Sequence, residues 1–135
     1  MNDQPIYSIH IEKIFPTEIA YIFKHFHDST FLKLTGGDVI ENDFQKGGSY
    51  CLTFTNRGII SGKYIDITNS SIVLNWNVKG FKRPDENNTL LEITLTTDKD
   101  NCKFTLRHTN IINQDAALAK EKSWNDILNE FGKIL

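Results

Sequence analysis

The most constraining feature of the chain is the apolar spacing of its last segment, Gln114 to Leu135. Leu118, Trp124, Ile127, Leu128, Phe131, Ile134 and Leu135 recur at intervals of three, four and seven, behind Ala116, Ala117 and Ala119. That spacing predicts one amphipathic helix, roughly 33 Å long at the α-helical rise. Lys120, Lys122, Asn125, Asp126, Asn129, Glu130 and Lys133 fall largely on its polar side. A helix polar on one face is neither a buried rod nor a membrane span, and it needs a surface to lie on. Between residues 40 and 108 the chain reads as strands separated by short turns. The expectation is an α+β domain: one long C-terminal helix laid across one curved antiparallel sheet, with room for a cavity between them.

The other bounds are simple. A chain of 135 residues supports one domain, residues 1–135, with one good core. Seventeen acids against fifteen Lys and Arg give a formal charge of −2, and no extended basic stripe offers a nucleic acid its footprint. Cys51 and Cys102 have no close metal-type pairing and read as small hydrophobes of a reducing compartment. The opening residues Met1 to Pro5 show no basic region followed by an apolar run, and no stretch approaches the roughly 18 apolar residues of a membrane span. A cytoplasmic protein without cofactor or metal is expected.

In chain order, Ile6 to Ile14 alternates, with Tyr7, Ile9 and Ile11 on one face and Ser8, His10 and Glu12 on the other. Pro16-Thr17-Glu18 suits a helix start, and Ile19, Ile22, Phe23 and Phe26 give that short helix a core-facing stripe. Asp28 or Ser29 is placed to cap a second short helix carrying Phe31, Leu32 and Leu34, which Gly36-Gly37 ends. Val39 to Phe44 reads as a strand, and Lys46 to Ser49 as a tight turn before alternating Tyr50, Leu52 and Phe54. Asn56-Arg57-Gly58 makes the next hairpin, with Gly58 expected to supply positive φ. Strands follow over Ile59–Thr68 and Ser71–Val78, the latter with Ile72, Leu74, Trp76 and Val78 on one face. Gly80 to Asn88 reads as a long exposed loop. Leu91, Ile93 and Leu95, then Phe104 and Leu106, complete an antiparallel meander ending near His108.

The order of several features resembles the AHSA1-like family, proteins akin to the C-terminal domain of the activator of the Hsp90 ATPase, within the START-like (SRPBCC) superfamily. These features are the first strand running into Pro16-Thr17-Glu18, the Lys46-Gly47-Gly48 turn, and Gly62-Lys63-Tyr64-Ile65 after the Gly58 hairpin. Leu74-Asn75-Trp76, Thr105-Leu106-Arg107-His108 and the segment from Trp124 to Leu128 continue the series. The resemblance covers roughly residues 6 to 135. It implies a helix-grip (Bet v 1-like) fold, with two short helices after the first strand and lipid-like or aromatic ligands held between helix and sheet. The chain departs from the pattern at Leu34-Thr35, where a tryptophan is usual, and at Ser123, where a glycine usually precedes the helix tryptophan. The separate N-terminal domain of the eukaryotic cochaperone has no counterpart in these residues, so Hsp90 activation is not implied.

The expected cavity lining is Tyr64, Trp76, Phe104, Trp124 and Leu128, with His10 as a polar contact. Aromatic faces pack apolar ligands, while the indole nitrogens, Tyr hydroxyl and imidazole can orient one polar group. The competing reading is that these residues fill a core, as such residues usually do. The principal expectation is a small-molecule binding module. A cyclase- or lyase-like enzyme using His10 or Tyr64 as acid or base, and an interaction module without ligand, are the alternatives. His25, His27 and Asp28 carry ligand chemistry, but helical positions 25 and 27 share no face. Gly47-Gly48 lacks the Lys-Ser or Lys-Thr of a phosphate loop, and no nucleophile elbow or Ser-His-Asp set is present. A monomer or weak homodimer, pairing through strand edges or the short helices, is expected from a chain with no long heptad run.

Overall fold

Alternation and helical spacing condense into ten elements in the computed structural model, which describes residues 6–135. Strand β1 (Tyr7–Phe15) is followed by helices α1 (Ile19–His27) and α2 (Thr30–Lys33). Strands β2 (Asp38–Asn42), β3 (Ser49–Phe54), β4 (Gly58–Ile67), β5 (Ser71–Lys79), β6 (Glu86–Asp98) and β7 (Asn101–Ile111) then form a meander, and α3 (Gln114–Ile134) closes the chain. The strand order is β1-β7-β6-β5-β4-β3-β2, with every neighbouring pair antiparallel. The two short helices therefore carry the chain from one sheet edge to the other. This is the helix-grip architecture: a curved seven-stranded sheet and a long C-terminal helix. No helix among the described residues is long and apolar enough to cross a membrane.

The short helices are pinned by a polar relay. The Tyr64 hydroxyl donates to Asn42 Oδ1 at 2.6 Å, and the Asn42 amide donates to Phe26 O and Ser29 Oγ, both at 2.9 Å. Ser29 is the N-cap of α2 and makes no side-chain capping bond; Asp28 Oδ1 instead accepts from the Thr30 N–H at 2.9 Å in the turn that leads into the helix. Held there, Phe31 stacks on Phe26 and on Trp124, and meets Phe131 edge-on with centroids 5.2 Å apart. Phe15 and Phe104 complete this cluster.

Three expectations need correction. First, α3 buries Ala117, Lys120, Trp124, Leu128 and Phe131, whereas Leu118 is 62% exposed and Ile134 is exposed too. A step of four back from Trp124 lands on Lys120, and a further step of three on Ala117. Leu118, six residues back, lies about 120° off that face at ~100° per residue.

Second, Gly58 does not supply the positive φ of its hairpin; Asn56 does, at 61°. Gly58 is required for space instead, because a Cβ there would lie 2.5 Å from Lys79 O and 2.6 Å from the Phe81 ring.

Third, only residues 80–85 form the loop expected over Gly80–Asn88. β6 begins at Glu86, opposite Val78, and its register shifts before Thr89, opposite Trp76. Asn88 occupies the left-handed region at φ 57°, and its N–H donates to Asn77 Oδ1. An extra residue in one strand reverses which side chains face inward. Strict alternation from Thr89, Leu91 and Ile93 would bury Asn87; the bulge buries Glu86.

Candidate functional site

Trp76 on β5 and Trp124 on α3 meet edge to face, with centroids 5.2 Å apart. A hydrogen-bonded chain holds the Trp124 indole and ends on the backbone of Trp76. The indole Nε1–H of Trp124 can only donate, and it does so to His108 Nδ1 at 3.1 Å. His108 must then carry its proton on Nε2, which donates to Thr89 Oγ1 at 2.8 Å. The Thr89 hydroxyl in turn donates to the Trp76 carbonyl at 2.5 Å. Every donor in the series has one acceptor, so the arrangement stands only with a neutral imidazole. Burial pulls the His108 pKa down to about 3, and the nearby charge of Lys120 acts in the same direction. His108 is thus a positioning residue for the Trp124 indole.

Over this pair lies a groove of about 720 Å³. One wall is α3, with Lys120, Ser123, Trp124 and Ile127; the facing wall is the β3–β4 hairpin, with Phe54, Asn56, Arg57 and Ile60. The β5–β6 loop contributes Phe81, Lys82 and Arg83 at the mouth, and Thr35, after α2, closes the other side. Phe54 and Phe81 pack edge to face at 5.3 Å, which joins hairpin to loop. That contact needs two glycines: the space kept by Gly58, and Gly37, where a Cβ would sit 2.7 Å from the Phe54 ring.

A buried ion pair stands beside the floor. Lys120 Nζ lies 3.1 Å from Glu86 Oε1, with both side chains only 6% exposed. Arg83 Nη2 approaches the same oxygen at 3.7 Å. Neither Glu86 carboxylate oxygen has a well-directed hydrogen bond among the described residues, so the contact with Lys120 is an ion pair. Desolvation lowers the Lys120 pKa, and attraction to Glu86 opposes that shift.

The structure separates the residues expected to line a cavity. Trp76 and Trp124 do line the groove. Tyr64, Phe104 and Leu128 are fully buried in the packed interior and do not reach it. Burial raises the Tyr64 pKa, and its proton is committed to Asn42. The His10 side chain is 61% exposed, 3.4 Å from Glu12 on the outer face, because Ile9 and Ile11 take the inward positions. His25 packs its ring against Tyr21 and Phe131.

Sequence reasoning missed Lys120, Glu86 and the cations Arg57, Lys82 and Arg83. The signal for Lys120 was its four-residue spacing from Trp124. For Glu86 it was the Asn87-Asn88 pair, whose tolerance of left-handed backbone marks a bulge.

Residues 16–135 match the model of the family described as Activator of Hsp90 ATPase homolog 1-like protein. No curated protein gives a significant sequence match. Among solved structures, a protein from Mesorhizobium loti superposes with a TM-score of 0.81 at 10% identity, covering 94% of this chain and 95% of its own. The Aha1 dimer from Colwellia psychrerythraea gives 0.78 at 17% identity, covering 96% of each chain. An HSP90 activator from Plasmodium falciparum gives 0.60 at 23% identity, covering 77% of this chain and 73% of its own. At such identities the structural likeness speaks for the fold. Together with the family match over nearly the whole described length, it leads to one conclusion: the chain belongs to the Activator of Hsp90 ATPase homolog 1-like family, within the START-like superfamily.

Proposed function

We propose that the protein is a small-molecule binding module whose ligand lies in the groove between α3 and the β3–β4 and β5–β6 connections. The observation that carries this reading is the floor: two tryptophans packed edge to face, the Trp124 indole hydrogen-bonded to His108, under about 720 Å³ of space. Ligand sites are concave, mostly preformed, and typically about 300–1,000 Å³. Phe81, Ile127 and the tryptophans would pack an aromatic or aliphatic body. Tryptophan emission and melting temperature measured against fatty acids, flavonoids and indoles test the reading. Saturable quenching with a rise in melting temperature is expected, since a ligand bound only by the folded state stabilises it. A flat response to every class would overturn it.

The acid–base groups suggested for a cyclase- or lyase-like alternative do not face this groove, His10 being outside the sheet and Tyr64 inside the core. Hsp90 activation, named for the relative from P. falciparum, is not carried over, because no contact in the groove argues for it. A monomer or weak homodimer is proposed on the two sheet edges, β1 and the short β2 with its exposed Ile40. A cytoplasmic location is proposed because both cysteines are unpaired.

A further inference from the structure

We infer that the ligand is an amphipathic anion: an aromatic or aliphatic body bearing one carboxylate, sulfonate or phosphate, held at the mouth by Arg57, Lys82 and Arg83. This deepens the small-molecule reading and rests on it. The groove lining carries four cations, Arg57, Lys82, Arg83 and Lys120, and no carboxylate. The excess is local, for the whole chain has a formal charge of −2.

These cations come from three separate elements. Arg57 belongs to the β3–β4 hairpin, Lys82 and Arg83 to the β5–β6 loop, and Lys120 to α3. Two acids stand nearby, and both are engaged elsewhere. Glu86 contacts Lys120 and Arg83 from behind the lining, and Asp85 in the loop accepts from the Gly80 N–H at 3.1 Å. Two carboxylates against four cations still leave the opening with an excess of positive charge. A cleft with low-dielectric walls focuses such a field, and an anion entering it relieves the mutual repulsion of the cations.

The arrangement also divides the site by chemistry. The apolar floor is Trp76 and Trp124, with the paired Lys120 beside it, and the exposed cations Arg57, Lys82 and Arg83 stand at the rim. The Arg83 guanidinium lies 5.5 Å over the Phe81 ring, a contact that favours holding its planar fork at that rim. A neutral apolar ligand would use the floor and leave the rim unanswered; an amphipathic anion uses both.

The test compares two fluorescent probes on the full chain. 8-Anilinonaphthalene-1-sulfonate and N-phenyl-1-naphthylamine share one ring system and differ by the sulfonate. The sulfonate probe should bind about tenfold more tightly, the worth of one charge-assisted contact. That advantage should shrink at high salt. The double variant Arg57→Gln/Lys82→Gln changes two exposed side chains, and it should lower the ratio of the two affinities about tenfold. Lys99→Gln, in the turn between β6 and β7 at the opposite end of β6 from Glu86, should leave the ratio unchanged. If both probes bind equally and the double variant leaves their ratio unaltered, the groove accepts apolar molecules and the anion inference is overturned. If neither probe binds, the small-molecule reading itself fails and takes the inference with it.

Discussion

The two ends of the space between α3 and the sheet are built on opposite plans. Toward the helix C-terminus, Phe131 meets Phe15, Phe31 and Phe104 in a cluster without exposed members, and Leu128 is buried on the same helix face. Toward the N-terminus, the same buried face presents Ala117 and Lys120, and the space above opens into the cationic groove. The plug is Phe31: α2 inserts it against Trp124 on one side and Phe131 on the other. One helix thus carries a stabilising end and an open, charged end, with Trp124 at the junction.

If that division holds, damage should grade along α3. Truncation after Ala119 removes Trp124, Leu128 and Phe131 together. Each is worth about 1.5–3 kcal/mol in burial alone, against a typical total of roughly 5–15 kcal/mol. No cooperative melt should survive, as circular dichroism would show. Phe131→Ala should cost about 3–5 kcal/mol in denaturant unfolding, the usual range for a buried ring. At the open end, Arg57→Gln and Lys82→Gln should stay within about 0.5 kcal/mol of the parent. Comparable losses at both ends would dissolve the contrast.

The junction can be sharpened with charge. Glu86→Gln leaves the buried ammonium of Lys120 uncompensated and should destabilise the fold by about 3 kcal/mol. The double variant Glu86→Leu/Lys120→Met should recover most of that loss, and a double-mutant cycle in urea reads the difference. Additive losses would show that the two groups do not act as a pair.

A pH-dependent effect comes from His108. Its folded pKa, about 3, lies below the ordinary 6.5, so between those values the unfolded chain binds a proton that the folded chain does not. The stability contribution is complete above about pH 6.5 and is lost as pH falls toward 3, at up to roughly 1.4 kcal/mol per pH unit. His108→Gln should flatten that slope in pH-dependent urea melts. An unchanged slope would remove His108 from the chain that positions the Trp124 indole.

Much of the fold was legible because its signals are periodic. Alternation marked the inward faces of β5 and β7, and helical spacing found Trp124, Leu128 and Phe131. The open end was less legible because its residues break those periods. Lys120 is a cation on an apolar face, and recognising it required knowing that Glu86 waits opposite. Glu86 was hidden by the bulge at Asn87-Asn88, which shifts the inward set by one residue. Arg57, Lys82 and Arg83 sit in turns, where local sequence does not say which turns will converge. Tyr64, Phe104 and Leu128 were correctly read as inward, but inward positions do not distinguish core from groove. His10 shows the converse, since its alternation with Ile9 and Ile11 already placed it on the outer face.

The most direct test of the central claim, that the open end is a binding site, is to fill it. Ser123 is exposed on the groove wall, one residue before Trp124. Ser123→Phe should melt within about 0.5 kcal/mol of the parent, the ordinary range for an exposed position. The parent should show saturable, one-to-one quenching of tryptophan emission by N-phenyl-1-naphthylamine, with a higher melting temperature when saturated. Ser123→Phe should lose both responses. Equal binding by the parent and Ser123→Phe, or no saturable binding by the parent, would contradict the account.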